Sequence, residues 1–367
     1  MLVKDIRLIN FRNYDNISLD FNDKVNIIIG KNAQGKTNLL EAIYMTATGR
    51  SFRTNKDREI VNFNKNEGYI GINVKVDNMS RFIEVKLSKN KAKRIRINKN
   101  ELKNYKELNT GLNVVVFNPE DLRLIKDSPS YRRNFIDAGI SNLRPVYYYN
   151  IKKYDKMLFQ RNNLLKSSRF EKDVHNLLEV FDIQISKLGT SIIIERDLYL
   201  KGLMKKCKDI HGNITLDSES LDYKYSTNVP ILEDREEVER RYLSLLKENR
   251  KRDLEYRSTQ IGPHRDDIVF YINGNNSRIY GSQGQQRSIA LSLKLSEVEF
   301  IKEDRGIYPV LLLDDVFSEL DKERRVYLSK SFEKIQTFIT LTDAVDIEAI
   351  SDMDKSIFKI EDGEIIR

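Results

Sequence analysis

Eight residues, Gly30 to Thr37 in "GKNAQGKT", constrain this chain more than any other stretch. They match G-x-x-x-x-G-K-[ST], follow the β-branched run Val25–Ile29 and precede an amphipathic segment, Asn38–Tyr44. A strand running into a glycine loop and then a helix is half of a parallel β–α unit, so the rest of the chain has to supply the sheet around it. Gly30 and Gly35 let backbone N–H groups converge on phosphate oxygens, and the helix N-terminus adds about half a positive charge. A tight turn with an exposed lysine is the competing reading, which the flanking strand and helix disfavour. The expected cradle runs through Gly30, Lys31, Asn32, Ala33, Gln34, Gly35, Lys36 and Thr37. The cofactors expected there are ATP and Mg²⁺, with Lys36 bridging the β- and γ-phosphates and the Thr37 hydroxyl ligating the metal.

Such a loop needs a metal-holding carboxylate on a neighbouring buried strand, and "YPVLLLDDVFSELD" offers one. Val310–Leu313 is apolar throughout, as in a parallel strand covered on both faces. Asp314 follows at its C-terminal edge, where open α/β sheets bind ligands. Asp314 is expected in the Mg²⁺ shell and Asp315 as acceptor of a proton from water. An acidic pair that merely caps the next helix is the alternative.

Periodicity divides the rest. Short β-branched runs fill residues 1–120, read as the first part of an ATPase head. Helical spacing takes over in 121–255, where Leu177, Phe181, Ile185, Leu188 and Ile192 suggest an antiparallel arm like a short coiled coil, as do Val238, Tyr242 and Leu245. Strands return in 256–367, including "DIVFYI" and "TFITL". The expected fold is therefore α/β: one P-loop head built from both chain ends, with a mainly α-helical arm domain inserted. A net charge of +8 leans towards an anionic partner, and the single cysteine, Cys207, fits a reducing compartment. No apolar run approaches the ~20 residues of a membrane span, so no membrane partner and a cytoplasmic location are expected.

"GSQGQQRSIALSL", residues 281–293, opens a long apolar helix with small and amide side chains. It resembles the Ser-x-Gly-Gln signature of ATP-binding-cassette ATPases, where the helix tip faces nucleotide held by the other subunit. On that resemblance Ser282, Gly284, Gln285 and Gln286 contact the nucleotide, and an ATP-dependent homodimer is implied. A serine cap on a core helix is the plainer alternative. "SELD", from Ser318, resembles the loop that crosses that interface.

In order along nearly the whole chain stand "INFRNY", "GKNAQGKTNLLEAI", "GRSFRT", "NPEDL…SPSYRRNFID", "QRNNLLK", "GPHRDD", "GSQGQQR" and "LLLDDVFSELD". Together they are similar to the RecF family of bacterial DNA replication and repair proteins, relatives of the structural-maintenance and Rad50-like ATPases. The resemblance implies a slow, DNA-stimulated ATPase that closes as a dimer on single- and double-stranded DNA at gaps. It also implies partnership with RecR and RecO in loading RecA, and a role in recombinational repair and the SOS response. Three positions depart from the wider cassette pattern. Asp315 replaces a glutamate, no glutamine follows "LNVVVF" (Glu120 or Asp121 stands nearby), and Thr342 and Asp343 replace a histidine.

Residues 86–100 carry a basic cluster in which Arg94 and Arg96 alternate with isoleucines, so both are expected to face solvent from one strand face. Lys91, Lys93, Arg94 and Arg96, with Arg50 and Arg53 of "GRSFR", are the candidate DNA contacts. Arg132 and Arg133 can extend that track, whereas solvation is expected for Lys152, Lys153 and Lys156. In "GPHRDD", Arg265 and Asp266 are expected to brace the sheet near the nucleotide.

Overall fold

The computed structural model describes residues 1–77, 79–103, 111–167, 173–317, 320–342 and 353–366. The chain forms two compact units, Met1–Asp121 with Lys294–Arg367, and Leu122–Leu293.

The first unit is built from both chain ends. Its mostly parallel sheet has the strand order Glu364–Ile366, Lys355–Glu361, Val25–Ile29, Thr337–Leu341, Val310–Asp314 and Val114–Phe117. Val310–Asp314 and Thr337–Leu341 are buried at every position, as central parallel strands covered on both faces are, with Asp314, Thr337 and Thr340 as their polar members. A second, antiparallel sheet orders Tyr14–Asp20, Leu2–Phe11, Glu67–Val76, Met79–Ser88, Arg94–Ile97 and Asn100–Glu101. The helix Lys36–Thr48 contributes Leu39, Leu40, Ala42, Ile43 and Met45 to a core shared with both sheets. Gln336, just before a parallel strand, ties the chain ends together. Its Oε1 accepts from Val3 N–H at 2.6 Å, and its Nε2 donates to the carbonyls of Val3 and Asn22, each at 2.8 Å.

The second unit is mainly helical, with helices Pro129–Leu143, Pro145–Ser167, Val174–Thr215, Arg235–Glu248 and Arg250–Tyr256. Pro145–Ser167 and Val174–Thr215 run antiparallel, since Arg161 meets Asp182 while Asn150 meets Ser191. The expected stripe holds at Ile185 and Ile192, and at Val238 and Tyr242 of Arg235–Glu248, all buried, and shifts by one residue at its other positions on the long helix. Leu177 is exposed, Phe181 and Leu188 are half-buried, and the inward stripe is Leu178, Asp182, Ile185, Gly189, Ile192 and Arg196. Buried ion pairs set that phase. Arg161 bonds Asp182 at 2.8 Å, Asp253 at 2.7 Å and the Thr259 hydroxyl at 2.8 Å, and Asp182 also accepts from Arg250.

Residues 256–293, expected in the head, cluster with this helical unit instead. The strand Asp267–Ile272 pairs antiparallel with Leu221–Ser226 and Asn275–Asn276, and alternates half-buried with buried positions. Its unbroken apolar sequence hides that alternation. The "GPHRDD" side chains make hydrogen bonds and ion pairs within this unit. Asp267 receives Arg132 at 2.7 Å, Asp266 accepts from Tyr225 at 2.5 Å and Arg196 at 3.3 Å, and Arg265 bonds the Thr259 carbonyl at 3.1 Å. His264 uses both ring nitrogens, towards Tyr154 at 2.8 Å and Thr259 at 2.9 Å, and burial lowers its pKa to about 4. Cys207 is buried, and no described helix is long and apolar enough to cross a membrane.

Replacing Arg161 by Met leaves Asp182 and Asp253 without their shared buried cation. We expect a loss of about 3–5 kcal/mol in urea-induced unfolding followed by circular dichroism.

Candidate nucleotide site

The loop after Val25–Ile29 is pressed against its surroundings. A Cβ on Gly30 would lie 2.5 Å from the Ile360 carbonyl oxygen of the neighbouring strand. Gly35 takes φ +116°, and a Cβ there would meet the Asn13 side chain at 2.7 Å. The loop carbonyls are occupied: Gly30 by Lys36 Nζ at 2.6 Å, Gln34 by Asn13 Nδ2 at 2.7 Å and Gly35 by the Tyr14 hydroxyl at 2.9 Å. Gln34 Oε1 accepts from Asp362 N–H. Lys31, Asn32 and Ala33 stay exposed, and Ala33 has φ +67°. With three of its carbonyls engaged by side chains, the loop and the helix tip present N–H groups that suit an anion.

Strand order brings distant acids and hydroxyls together. Thr37 Oγ donates to Asp314 Oδ1 at 2.8 Å, and Thr340 Oγ, on the intervening strand, donates to the same oxygen at 2.9 Å. The Asp315 N–H donates to Thr340 Oγ at 2.8 Å, which fixes Asp315 at φ +53°. Lys36 Nζ lies 3.8 Å from Asp315 Oδ1. Asp314 is buried, and burial raises its carboxyl pKa against the lowering effect of the Thr37 and Thr340 hydrogen bonds.

Asn118, the first residue of "NPEDL", directly follows the strand Val114–Phe117. Phe117 pairs with Leu313 in parallel register, so Asn118 and Asp314 are the next residues of adjacent chain segments. Its Oδ1 is buried with no hydrogen-bond partner, whereas its N–H donates to Asp121 Oδ2 at 2.8 Å. Asp121 in turn lies 3.7 Å from Lys294, which is 3.4 Å from Glu297, and Glu120 is exposed. Thr342 is exposed, while Ser318 and Asp343 lie outside the described residues.

Arg53 faces the loop side. It donates to Asn38 Oδ1 at 2.6 Å, lies 3.6 Å from Glu41, and its charge lowers the Asp314 pKa. Glu41 is fully buried and receives Arg12 at 2.6 Å. Arg50 is exposed. In the basic cluster Lys93 pairs with Asp57 at 2.9 Å and Arg96 with Glu101 at 3.3 Å, while Arg94 and Lys91 are exposed with no ion pair among the described residues. Arg132 is buried and paired with Asp267, and the half-buried Arg133 donates to the Asp266 carbonyl at 2.6 Å.

The 282–286 segment lies in the second unit. Ser282 Oγ accepts from Gln285 N–H at 3.2 Å and Gln285 Oε1 accepts from Ser282 N–H at 2.9 Å, a reciprocal capping box. Ser282 is exposed, Gly284 and Gln285 half-buried. Gln286 departs from its expected role: it is buried, and its Nε2 donates to the carbonyls of Ser277 at 3.0 Å and Gly281 at 3.2 Å.

The family model of the RecF/RecN/SMC N terminal domain matches residues 2–365. The DNA replication and repair protein RecF of Clostridium acetobutylicum is 46% identical over 365 residues, spanning 100% of this chain and 99% of that one. The chain belongs to the RecF family. RecF of Clostridium novyi is 42% identical over 365 residues, again with 100% and 99% covered. Among solved structures, the recombination mediator protein RecF with ATP in the RecFOR pathway superposes with a TM-score of 0.91 at 40% identity, covering 100% of this chain and 97% of that one. The Smc head domain of Pyrococcus furiosus, at 15% identity and a TM-score of 0.56, shares the fold alone. The first unit is thus the P-loop ATPase head of this family, and the relatives act in DNA replication and repair.

The raised Asp314 pKa has a defined sign. Its stabilising contribution is present below the ordinary carboxylate range and is lost as pH rises through the raised folded value, so at neutral pH the ionised group destabilises the fold. Asp314→Asn should leave the melting temperature without nucleotide unchanged or raised by about 1–3 °C at neutral pH, a difference that narrows on acidification. Scanning fluorimetry across pH checks this, and a lower neutral-pH melting temperature would contradict it.

Proposed function

We propose that this chain is a nucleotide-gated DNA clamp: two copies share each ATP, close on DNA at gaps and single-strand/duplex junctions, and reopen after slow hydrolysis. The observation that carries this is the Thr37–Asp314–Thr340 hydrogen-bonded cluster beside Lys36 and Asp315. The groups present suit magnesium triphosphate. A buried carboxylate with raised pKa and a buried, partnerless amide oxygen both gain from a cation and its water shell.

On this reading Gly30–Thr37 cradles the phosphates, Lys36 leaves the Gly30 carbonyl for the β- and γ-phosphates, and Thr37 and Asp314 hold Mg²⁺. The metal would neutralise charge on the phosphate oxygens. Asn118 Oδ1 accepts from a water beside Asp314, and Asp315 orients or deprotonates the attacking water. Its short side chain and fixed backbone suit slow turnover. Arg53 counters phosphate charge from the loop side. Ser282 and Gly284 of a second copy close on the γ-phosphate, with Gln285 holding the helix tip in shape. Lys91 and Arg94 are the DNA contacts of the basic cluster that this reading retains, since Lys93 and Arg96 already have carboxylate partners, and Arg50 is exposed beside the loop helix. The relatives' role in the RecFOR pathway supports action with RecO and RecR in loading RecA, in the cytoplasm, within recombinational repair and the SOS response.

Light scattering of the sized protein with ADP, ATP or a slowly hydrolysed analogue, with and without gapped DNA, tests the clamp. ATP with DNA should give dimers, and only monomers at saturating Mg-ATP would end the proposal. Asp315→Asn should slow hydrolysis about 100-fold or more and prolong the dimer. Faster dissociation in that variant would remove Asp315 from its role. Lys36→Arg should keep some nucleotide binding and lose turnover.

A further inference from the structure

The arm holds a concavity of about 310 Å³ that the nucleotide chemistry does not use. Tyr149, Asn150 and Lys153 line it from Pro145–Ser167, Lys187 and Ser191 from Val174–Thr215, and Arg235 from the first position of Arg235–Glu248. The helical spacing explains the grouping. Residues 149 and 153, and residues 187 and 191, are four apart, so each pair shares a face. Asn150 Nδ2 donates to Ser191 Oγ at 3.3 Å, which closes the floor between the antiparallel helices.

Its charge is concentrated. Several cations of these helices are paired locally, Lys201 with Asp197 at 2.7 Å, Lys247 with Glu179 at 2.7 Å and Lys152 with Asp155 at 3.9 Å, and others such as Lys156 and Lys205 stand singly on the surface among the described residues. Lys153, Lys187 and Arg235 are exposed and have no ion pair among the described residues, and no carboxylate lines the concavity. Three like charges around one hollow repel one another until an anion enters. Tyr149, 55% exposed, adds an aromatic face, and the Asn150 amide and Ser191 hydroxyl retain hydrogen-bonding capacity.

We infer that this hollow seats a nucleotide of single-stranded DNA, its base on Tyr149 and its flanking phosphates against Lys153, Lys187 and Arg235. The combination of unpaired cations with an aromatic face is that of single-strand sites. The volume lies at the lower end of the ~300–1,000 Å³ of ligand pockets, room for one nucleotide and too little for a double helix. The inference rests on the clamp reading and adds to it where the single strand of a gap is held. The solvated role expected for Lys153 changes accordingly.

Fluorescence anisotropy of the full chain with Mg-ATP tests it, using a labelled short oligothymidylate and a duplex of the same length. The triple variant Lys153→Glu, Lys187→Glu, Arg235→Glu should weaken oligothymidylate binding about ten-fold or more. It should also flatten the salt dependence by about 2, from three contacts of ~0.7 each on a single strand. Tyr149→Ala should cost about five-fold or more, whereas Lys156→Glu, outside the lining, should bind as the unaltered chain does. Duplex affinity should stay within about two-fold throughout, since the hollow admits no duplex. Unchanged oligothymidylate binding in the triple variant overturns the inference, as does an equal loss on both DNAs, which would mark a general charge effect. If the unaltered chain dimerises and binds duplex but ignores oligothymidylate, this inference fails while the clamp stands. Failure to dimerise or bind duplex removes both.

Discussion

Asp314 is the point on which the head depends. A carboxylate at the end of a wholly buried strand is tolerated because two hydroxyls donate to one of its oxygens, Thr37 from the loop helix and Thr340 from the strand between. Those partners are 277 and 26 residues away in sequence, and only the parallel order that inserts Thr337–Leu341 between Val25–Ile29 and Val310–Asp314 makes them neighbours. The same order lines up Asn118 on the far side. The sheet thus concentrates oxygen ligands and unsatisfied polarity at one edge, where a cation is worth most.

That edge requires the two ends of the chain to meet in one layer, and hydrophobic burial alone does not fix their register. Gln336 adds direction. One amide satisfies both the N–H and the carbonyl of Val3 as well as the carbonyl of Asn22, linking the antiparallel sheet to the turn before a parallel strand. Buried backbone groups left unpaired cost about 1–3 kcal/mol each, so a slipped arrangement is penalised several times over. An insertion as long as Leu122–Leu293 is then tolerable, since the head is closed by contacts between its own ends.

How much of this was legible depends on where the information lies. Runs such as Val25–Ile29 and Val310–Leu313 announce themselves because parallel strands are buried on both faces, and the glycine loop motif demands a helix directly after it. The helical arm was legible as helix and its phase only in part: Ile185, Ile192, Val238 and Tyr242 are buried as their spacing suggests, whereas Leu177 is exposed. Asp182 and Arg196 look like surface residues in sequence, yet they are buried by pairing with Arg161, Arg250, Asp137 and Asp266. The boundary at 256 failed for a related reason: Asp267–Ile272 is as apolar as a head strand and only its partner, Leu221–Ser226, assigns it. Thr340 carries no spacing signal, since its place comes from register, and in "NPEDL" the carboxylates Glu120 and Asp121 draw attention from Asn118. Gln286 erred in the other direction, since an amide in a ligand-like motif proved to brace the turn before it.

The signature segment shows why a plain structural role and a functional one need not compete. Ser282 and Gln285 cap each other, which satisfies two of the orphan N–H groups at the helix tip and rigidifies the first turn. Beneath it, Gln286 anchors that turn to Ser277 and Gly281, so the tip is held from inside while Ser282 stays in solvent. A helix start built to receive an anion needs this rigidity, because a γ-phosphate is distinguished from its absence only by donors that are already in place. On the clamp reading the cap persists in the closed state. The Ser282 oxygen accepts from Gln285 N–H through a lone pair, and its O–H proton is left to donate to phosphate.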